Sequence, residues 1–349
     1  MTSWRPAVAA VRMSMGILAL SFPANAGTVP QPRADLPAFI LSGGRLTAPE
    51  LSALHGGRIV AKVIETEDRS EVLSFAATRV RATPSRVLDR FRTVEQWRRD
   101  PWVLGLGRIG STPTSHDFDG FALDAGEVKD LARCRLHKCE IRLPAEAIER
   151  FRNSINWSSP SPAADATEMF RQTLASYAGS YLGRGNEALF EYANNDDPVH
   201  IADGLRQIVT RSSFIGTAAP DLYAYLDDFP RERPSDAEDF LYWLKEKFWV
   251  TDVVSLNHST VVDRTTSSGR MILAISKQLY ANHYYEAAIS LTAYVEGPTG
   301  ESYLVSLNRA RADVRRSGFN WIERLLLNRL VRNRIESQLA YLKQRLENS

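Results

Sequence analysis

The sequence has little cysteine, little net charge and no long apolar run. Two cysteines in 349 residues exclude a disulfide-rich scaffold and weigh against a multi-cysteine metal site. Lys and Arg number 43 and Asp and Glu 41, a formal +2, so no global basic field points to nucleic acid. Every apolar stretch after Ala26 is broken by charges and falls short of the roughly 20 residues that cross a bilayer. The six histidines, at positions 55, 116, 137, 200, 258 and 283, lack metal-ligand spacing. HExxH, GxSxG, Walker A and GxGxxG do not occur in a fitting setting, so the sequence calls for no cofactor and no metal. What is present is 44% hydrophobic, 24% charged and 9% aromatic, an ordinary globular composition.

The first residues read as an address. Arg5 and Arg12 precede an apolar run from Met13 to Phe22, and Ala24-Asn25-Ala26 gives a small-x-small cleavage pattern. This is the form of a secretory signal peptide over 1–26, and it places the mature chain in the periplasm or outside the cell. Export bears on Cys134 and Cys139. On one straight strand, residues five apart point to opposite faces. If Arg135-Leu136-His137-Lys138 form a turn, the two thiols meet, and a disulfide is favoured in an oxidising compartment. The rival reading is a metal site using His137 with both thiols, for which no fourth ligand stands nearby.

Residues 27–57 are rich in Pro, Gly and Ala and read as an extended leader with a short helix at 47–54. Strands are expected at 58–64, 72–81 and 102–109, with further short ones at 121–123 and 139–143. Between them, Thr83-Pro84-Ser85 opens a helix carrying Val87, Leu88, Phe91, Val94 and Trp97 at three- and four-residue spacing. Residues 144–249 read as helical throughout, including 187–193 and 237–248, and are acidic. Strands return at 253–263, 271–280, 284–296 and 302–314. A long basic amphipathic helix closes the chain at 320–347, with Ile322, Leu326 and Leu330 at helical spacing. The fold class is α+β, with 58–143 and 250–349 as two halves of one sheet and 144–249 as a helical insertion.

The stretch Arg81-Ala-Thr-Pro-Ser-Arg-Val-Leu-Asp-Arg-Phe-Arg-Thr-Val-Glu-Gln-Trp97 resembles the strand-to-helix opening of the START and polyketide-cyclase superfamily. Residues Phe319 to Leu346 resemble its long C-terminal helix. The resemblance comes in two pieces, and the large helical insertion departs from a simple member. It implies a helix-grip fold, in which a curved antiparallel sheet grips the C-terminal helix around a cavity. It also implies binding of a hydrophobic small molecule or lipid, less often its cyclisation or dehydration.

With that fold, Tyr280, Tyr285 and Tyr294 are expected to line the cavity, and Ile322, Leu326 and Leu330 to face the sheet. Arg309 and Arg311 share one strand face with Val305 and Leu307. They need either an acid such as Glu286 or Asp263, or an anionic ligand head group. His258, His283 and Glu286 are the candidate acid–base residues, each also readable as packed or solvated structure. The basic face of the C-terminal helix is a candidate for peripheral contact with an anionic membrane. The expected function is an exported, non-catalytic carrier of a hydrophobic small molecule or lipid. The alternatives are a cyclase- or dehydratase-like enzyme, or an interaction protein docking through its helical insertion.

Overall fold

This computed structural model describes residues 40, 43–212, 216, 219–248, 251–266, 269–297, 300–312 and 321–348, with side chains in the last segment from Leu325 onward. The signal-peptide reading, the first part of the leader and the Ile322 side chain lie outside them. All described residues belong to the unit Asp35–Ser349.

In chain order the elements are α1 (Ala48–His55), β1 (Val60–Ile64), β2 (Glu71–Val80), α2 (Pro84–Arg92), α3 (Val94–Trp97) and β3 (Val103–Ile109). The middle of the chain gives α4 (Ala125–Arg133), α5 (Ala145–Ser154), α6 (Pro162–Arg184), β4 (Glu191–Tyr192), β5 (Val199–His200), α7 (Ile201–Thr210) and α8 (Pro220–Asp227). Then follow β6 (Glu238–Glu246), β7 (Val253–Thr266), β8 (Gly269–Ala281), β9 (Tyr285–Glu296), β10 (Ser302–Ala312) and α9 (Trp321–Glu347). Eight strands make one curved antiparallel sheet in the order β1-β2-β10-β9-β8-β7-β6-β3. Early strands therefore flank both edges of a late meander, and β2 joins β10 along its whole length.

Both faces of the sheet are covered, so β2, β7 and β10 are almost continuously buried. On one face α2, α3 and α9 pack through Val87, Phe91, Trp97, Ile335, Leu339, Leu342 and Leu346 against Ala76, Tyr242, Ala274, Tyr294 and Leu304. On the other, α4–α8 supply Leu131, Ile148, Phe170, Tyr181, Leu205 and Leu226 to a second core containing Phe75, Trp243, Leu273, Leu291 and Leu307.

Several expectations need correction. Residues 237–248 carry the strand β6 over Glu238–Glu246, not a helix; Phe240–Leu244 is an apolar run buried on both faces of the sheet. Residues 121–123 and 139–143 are irregular, and the segment between them carries α4, whose Asp124 side chain caps it by accepting from the Glu127 amide. Residues 187–193 form the end of a short turn and the strand β4, which pairs with β5, in place of a helix. The glycines of β3 also find a reason: a Cβ on Gly107 would lie 2.6 Å from the Trp243 indole nitrogen of neighbouring β6.

The Cys134–Cys139 disulfide is present. Arg135 and Lys138 bridge each other by two backbone hydrogen bonds of 2.9 and 3.0 Å, and His137 takes a φ of +62° to close the turn. His137 itself turns away, its ring meeting the Asn195 carbonyl at 3.0 Å.

Candidate functional site

The gripped helix α9 does not seal against the sheet along its whole length. Toward its N-terminal half, Leu327, Val331 and Ile335 stand over the sheet with Arg334 and Gln338 among them. A cavity of about 140 Å³ remains beneath, with Tyr242, Leu244, Phe248 and Tyr285 at its sides. Its floor is set by strand register. Ser74, Asn308, Ser290, Ser276 and Ser259 stand opposite one another across β2, β10, β9, β8 and β7. Five successive strands thus place a small polar side chain in one row on the face below the helix. Thr292 and Ser306 begin a second row, where Gln338, Leu339 and Arg98 enclose a further space of about 20 Å³.

Part of this floor is internally satisfied. Ser276 donates to Ser259 and accepts from the Tyr242 hydroxyl, both at 3.3 Å, and Asn257 donates to Ser255 at 2.9 Å. The amides of Gln278 and Asn308 line the cavity without a side-chain partner among the described residues. At the helix side, Arg334 pairs with Glu246 at 2.5 Å and donates to the Lys247 carbonyl at 3.0 Å. The row is not legible in the sequence, because each member lies on a different strand.

Of the expected ligand-binding residues, Tyr285 borders the cavity. Tyr280 does not. Asn257 pairs with Gln278 but Leu256 pairs with Tyr280, so Leu279 is an extra residue in β8. That bulge turns Tyr280 to the opposite face, where its hydroxyl donates to the Arg142 carbonyl at 2.9 Å. Tyr294 faces the α9 side, away from the cavity, with its hydroxyl 2.9 Å from Ser302. The helix stripe is also displaced. Leu326 is 54% exposed and Leu330 half-buried, while Leu327, one residue on from Leu326, is buried.

Arg309 and Arg311 meet acids on the insertion side of the sheet. Arg309 donates from Nε to the fully buried Glu71 at 2.8 Å. Arg311 lies 2.8 Å from Asp68 and 3.3 Å from Glu286. Arg211, at the end of α7, joins the same group through Asp68 and Glu71 at 3.0 and 2.6 Å. A hydrogen bond from Ser70, with others from Arg211 and Arg311, holds the Asp68 carboxyl well below its usual range. The anionic-head-group role expected for these two arginines is thus taken by protein carboxylates. Glu286 is among them, as the acid reading required; Asp263 instead pairs with Arg270.

The candidate acid–base residues engage separate partners. His258 is buried, 2.9 Å from Asp239 through Nε2 and 2.9 Å from the Tyr181 hydroxyl through Nδ1. Burial and the nearby Lys277 charge lower its pKa despite Asp239. Asp239 also accepts from Thr260 at 2.7 Å, Tyr225 at 2.8 Å and Arg233 at 2.8 Å. Burial would raise that carboxyl, but the bonds from His258, Thr260 and Tyr225 bring it down to about 2. Lys277 is buried next to this group, donating to Asn186 at 2.7 Å and the Leu226 carbonyl at 3.2 Å, and burial lowers it to about 7. His283 lies in the β8–β9 turn, lowered by burial and by Arg142 to about 4. These three candidates do not share one site: His258 serves the Asp239 cluster and Glu286 the arginine network.

No protein-family model matches the chain, and no curated protein does. Among solved structures, the human StarD13 (DLC2) lipid transfer and protein localization domain is similar at 10% identity and a TM-score of 0.32, over 90% of this chain and 99% of that one. The di-domain ARO/CYC StfQ from the steffimycin biosynthetic pathway is similar at 13% identity and a TM-score of 0.24, over 78% of this chain and 98% of that one. Both likenesses are loose.

Proposed function

We propose that the protein is an exported, non-catalytic binder of a small hydrophobic or amphipathic molecule, held between the sheet and α9. The observation that carries this reading is the in-register polar row Ser74–Asn308–Ser290–Ser276–Ser259 facing an apolar helix side across an open space. A buried sheet face selected for stability alone fills such positions with apolar side chains. A face that offers amides without partners beside Leu327, Val331 and Phe248 suits a ligand with one polar end. The ionisable side chains on the wall are Arg98, Glu246, Arg334, Tyr242 and Tyr285. Glu246 is tied to Arg334, and burial raises Tyr285, so these groups suit recognition better than proton transfer.

The size of the space narrows the ligand. About 140 Å³ is close to the roughly 150 Å³ that holds one benzene-sized molecule. A compact molecule fits; a two-chain lipid requires α9 to move away from the sheet. Export rests on the pattern of residues 1–26 and on the Cys134–Cys139 bridge, which an oxidising compartment maintains. Peripheral membrane contact through α9 belongs to the same proposal: Arg329 and Arg332 are exposed beside Leu325 and Leu326, which are 61% and 54% exposed. The test of binding is a naphthylamine dye whose fluorescence rises in apolar sites. Ala288→Leu and Ala310→Leu, both pointing into the cavity, should abolish the signal while preserving the unfolding transition. Dye fluorescence unchanged in both variants would place any binding elsewhere.

A further inference from the structure

Two arginine side chains border the cavity from the α9 side, and one of them is already answered: Arg334 is taken up by Glu246. Arg98 follows the end of α3 and borders both the main cavity and the small one beside it. Its guanidinium lies over the Trp97 indole, 4.9 Å from the ring centre. One terminal nitrogen reaches the Ser290 hydroxyl at a long 3.4 Å. Its Nε is buried without a hydrogen-bond partner, and no carboxylate stands within ion-pair distance among the described residues. Asp100, two residues on, uses one oxygen to accept the Trp102 amide at 3.0 Å and leaves the other without a partner. A partly desolvated guanidinium without an anion is costly, and a guanidinium fork matches a planar carboxylate.

Ser290, which Arg98 touches, stands directly opposite Asn308 across the β9–β10 ladder. Directly opposed side chains lie about 5 Å apart at Cβ, so the unpartnered Asn308 amide falls beside the same spot. Resting on the ligand-binding reading above, the geometry points to a carboxylate seat: we infer that Arg98, Ser290 and Asn308 together hold the acid group of a compact organic acid. Its apolar body lies along Leu327, Val331 and Phe248.

Benzoate and benzyl alcohol, which share one ring and differ in the head group, separate the two claims in a ligand-observed NMR titration of the full chain. Benzoate should bind about tenfold more tightly than benzyl alcohol, the size of effect a charge-assisted pair gives. Arg98→Gln should bring benzoate down to the benzyl alcohol level. Arg98→Lys, which keeps the charge, should retain part of the preference. Equal binding of the two probes by the native protein, or benzoate binding untouched in Arg98→Gln, overturns the carboxylate seat and leaves the cavity reading standing. Failure of both probes to bind overturns the cavity reading and the seat with it.

Discussion

Arg334 of α9 and Glu246 at the end of β6 form a buried ion pair of 2.5 Å, with their side chains 10% and 13% exposed. It joins the terminal helix to the sheet beside the cavity, and Arg334 also lies over the Phe248 ring at 5.6 Å. Removing one partner strands the other charge in a dry setting. Arg334→Met or Glu246→Leu alone should therefore cost roughly 3–5 kcal/mol in urea unfolding, and the double variant should recover most of that loss. Additive losses in the double variant would show that the two side chains act independently.

The polar floor predicts a conflict between stability and binding. Asn308 presents an amide without a partner to the cavity. Asn308→Leu should raise unfolding stability by about 1 kcal/mol, because apolar surface replaces an unmet polar group. The same substitution should weaken dye or benzoate binding about tenfold. A loss of stability together with a loss of binding would mark Asn308 as a structural residue.

Lys277 predicts a pH dependence on the alkaline side. Burial lowers its pKa from 10.5 to about 7 in the folded chain. Between pH 7 and 10.5 the unfolded chain then holds more protons, so stability rises with pH through that window, and below pH 7 the cost of charging the buried amine is fully present. Urea midpoints at pH 7, 8 and 9 should increase in the native protein and stay level in Lys277→Met. A flat profile in the native protein would show the amine to be better solvated than its surroundings indicate.

The disulfide predicts a small effect. Cys134 and Cys139 enclose a short turn, so the bridge contributes near the low end of the usual range, about 2 kcal/mol. Double Cys→Ser should lower the thermal midpoint modestly, keep the fold and remove the crosslinked fragment from a non-reducing peptide map. Free thiols in exported native protein would contradict the bridge.

What the sequence disclosed followed from local periodicity, and what it hid depended on pairing between distant strands. The Thr83–Trp97 helices, the late meander and the terminal helix are written in spacing that neighbouring residues define. β6 was misread because Phe240–Leu244 is buried on both faces, and a continuous apolar run fits a short helix equally well. Tyr280 was placed on the wrong face because one extra residue at Leu279 reverses the alternation, and a bulge has no signature in composition. On α9 two apolar stripes run one residue apart, and packing selects the one through Leu327, Val331 and Ile335. Ser74, Ser276, Ser290 and Asn308 are unremarkable one by one; register alone makes them a floor. Arg98 carries no signal in the sequence; only the fold brings Ser290 to it.

The central claim is that the space between sheet and α9 holds a small molecule, and native mass spectrometry of protein purified from its own host tests it most directly. The account predicts one bound mass of discrete, low molecular weight on the native chain, released by organic solvent and absent from Ala288→Leu. A chain that carries no adduct, or carries the same adduct after the cavity is filled, would contradict it.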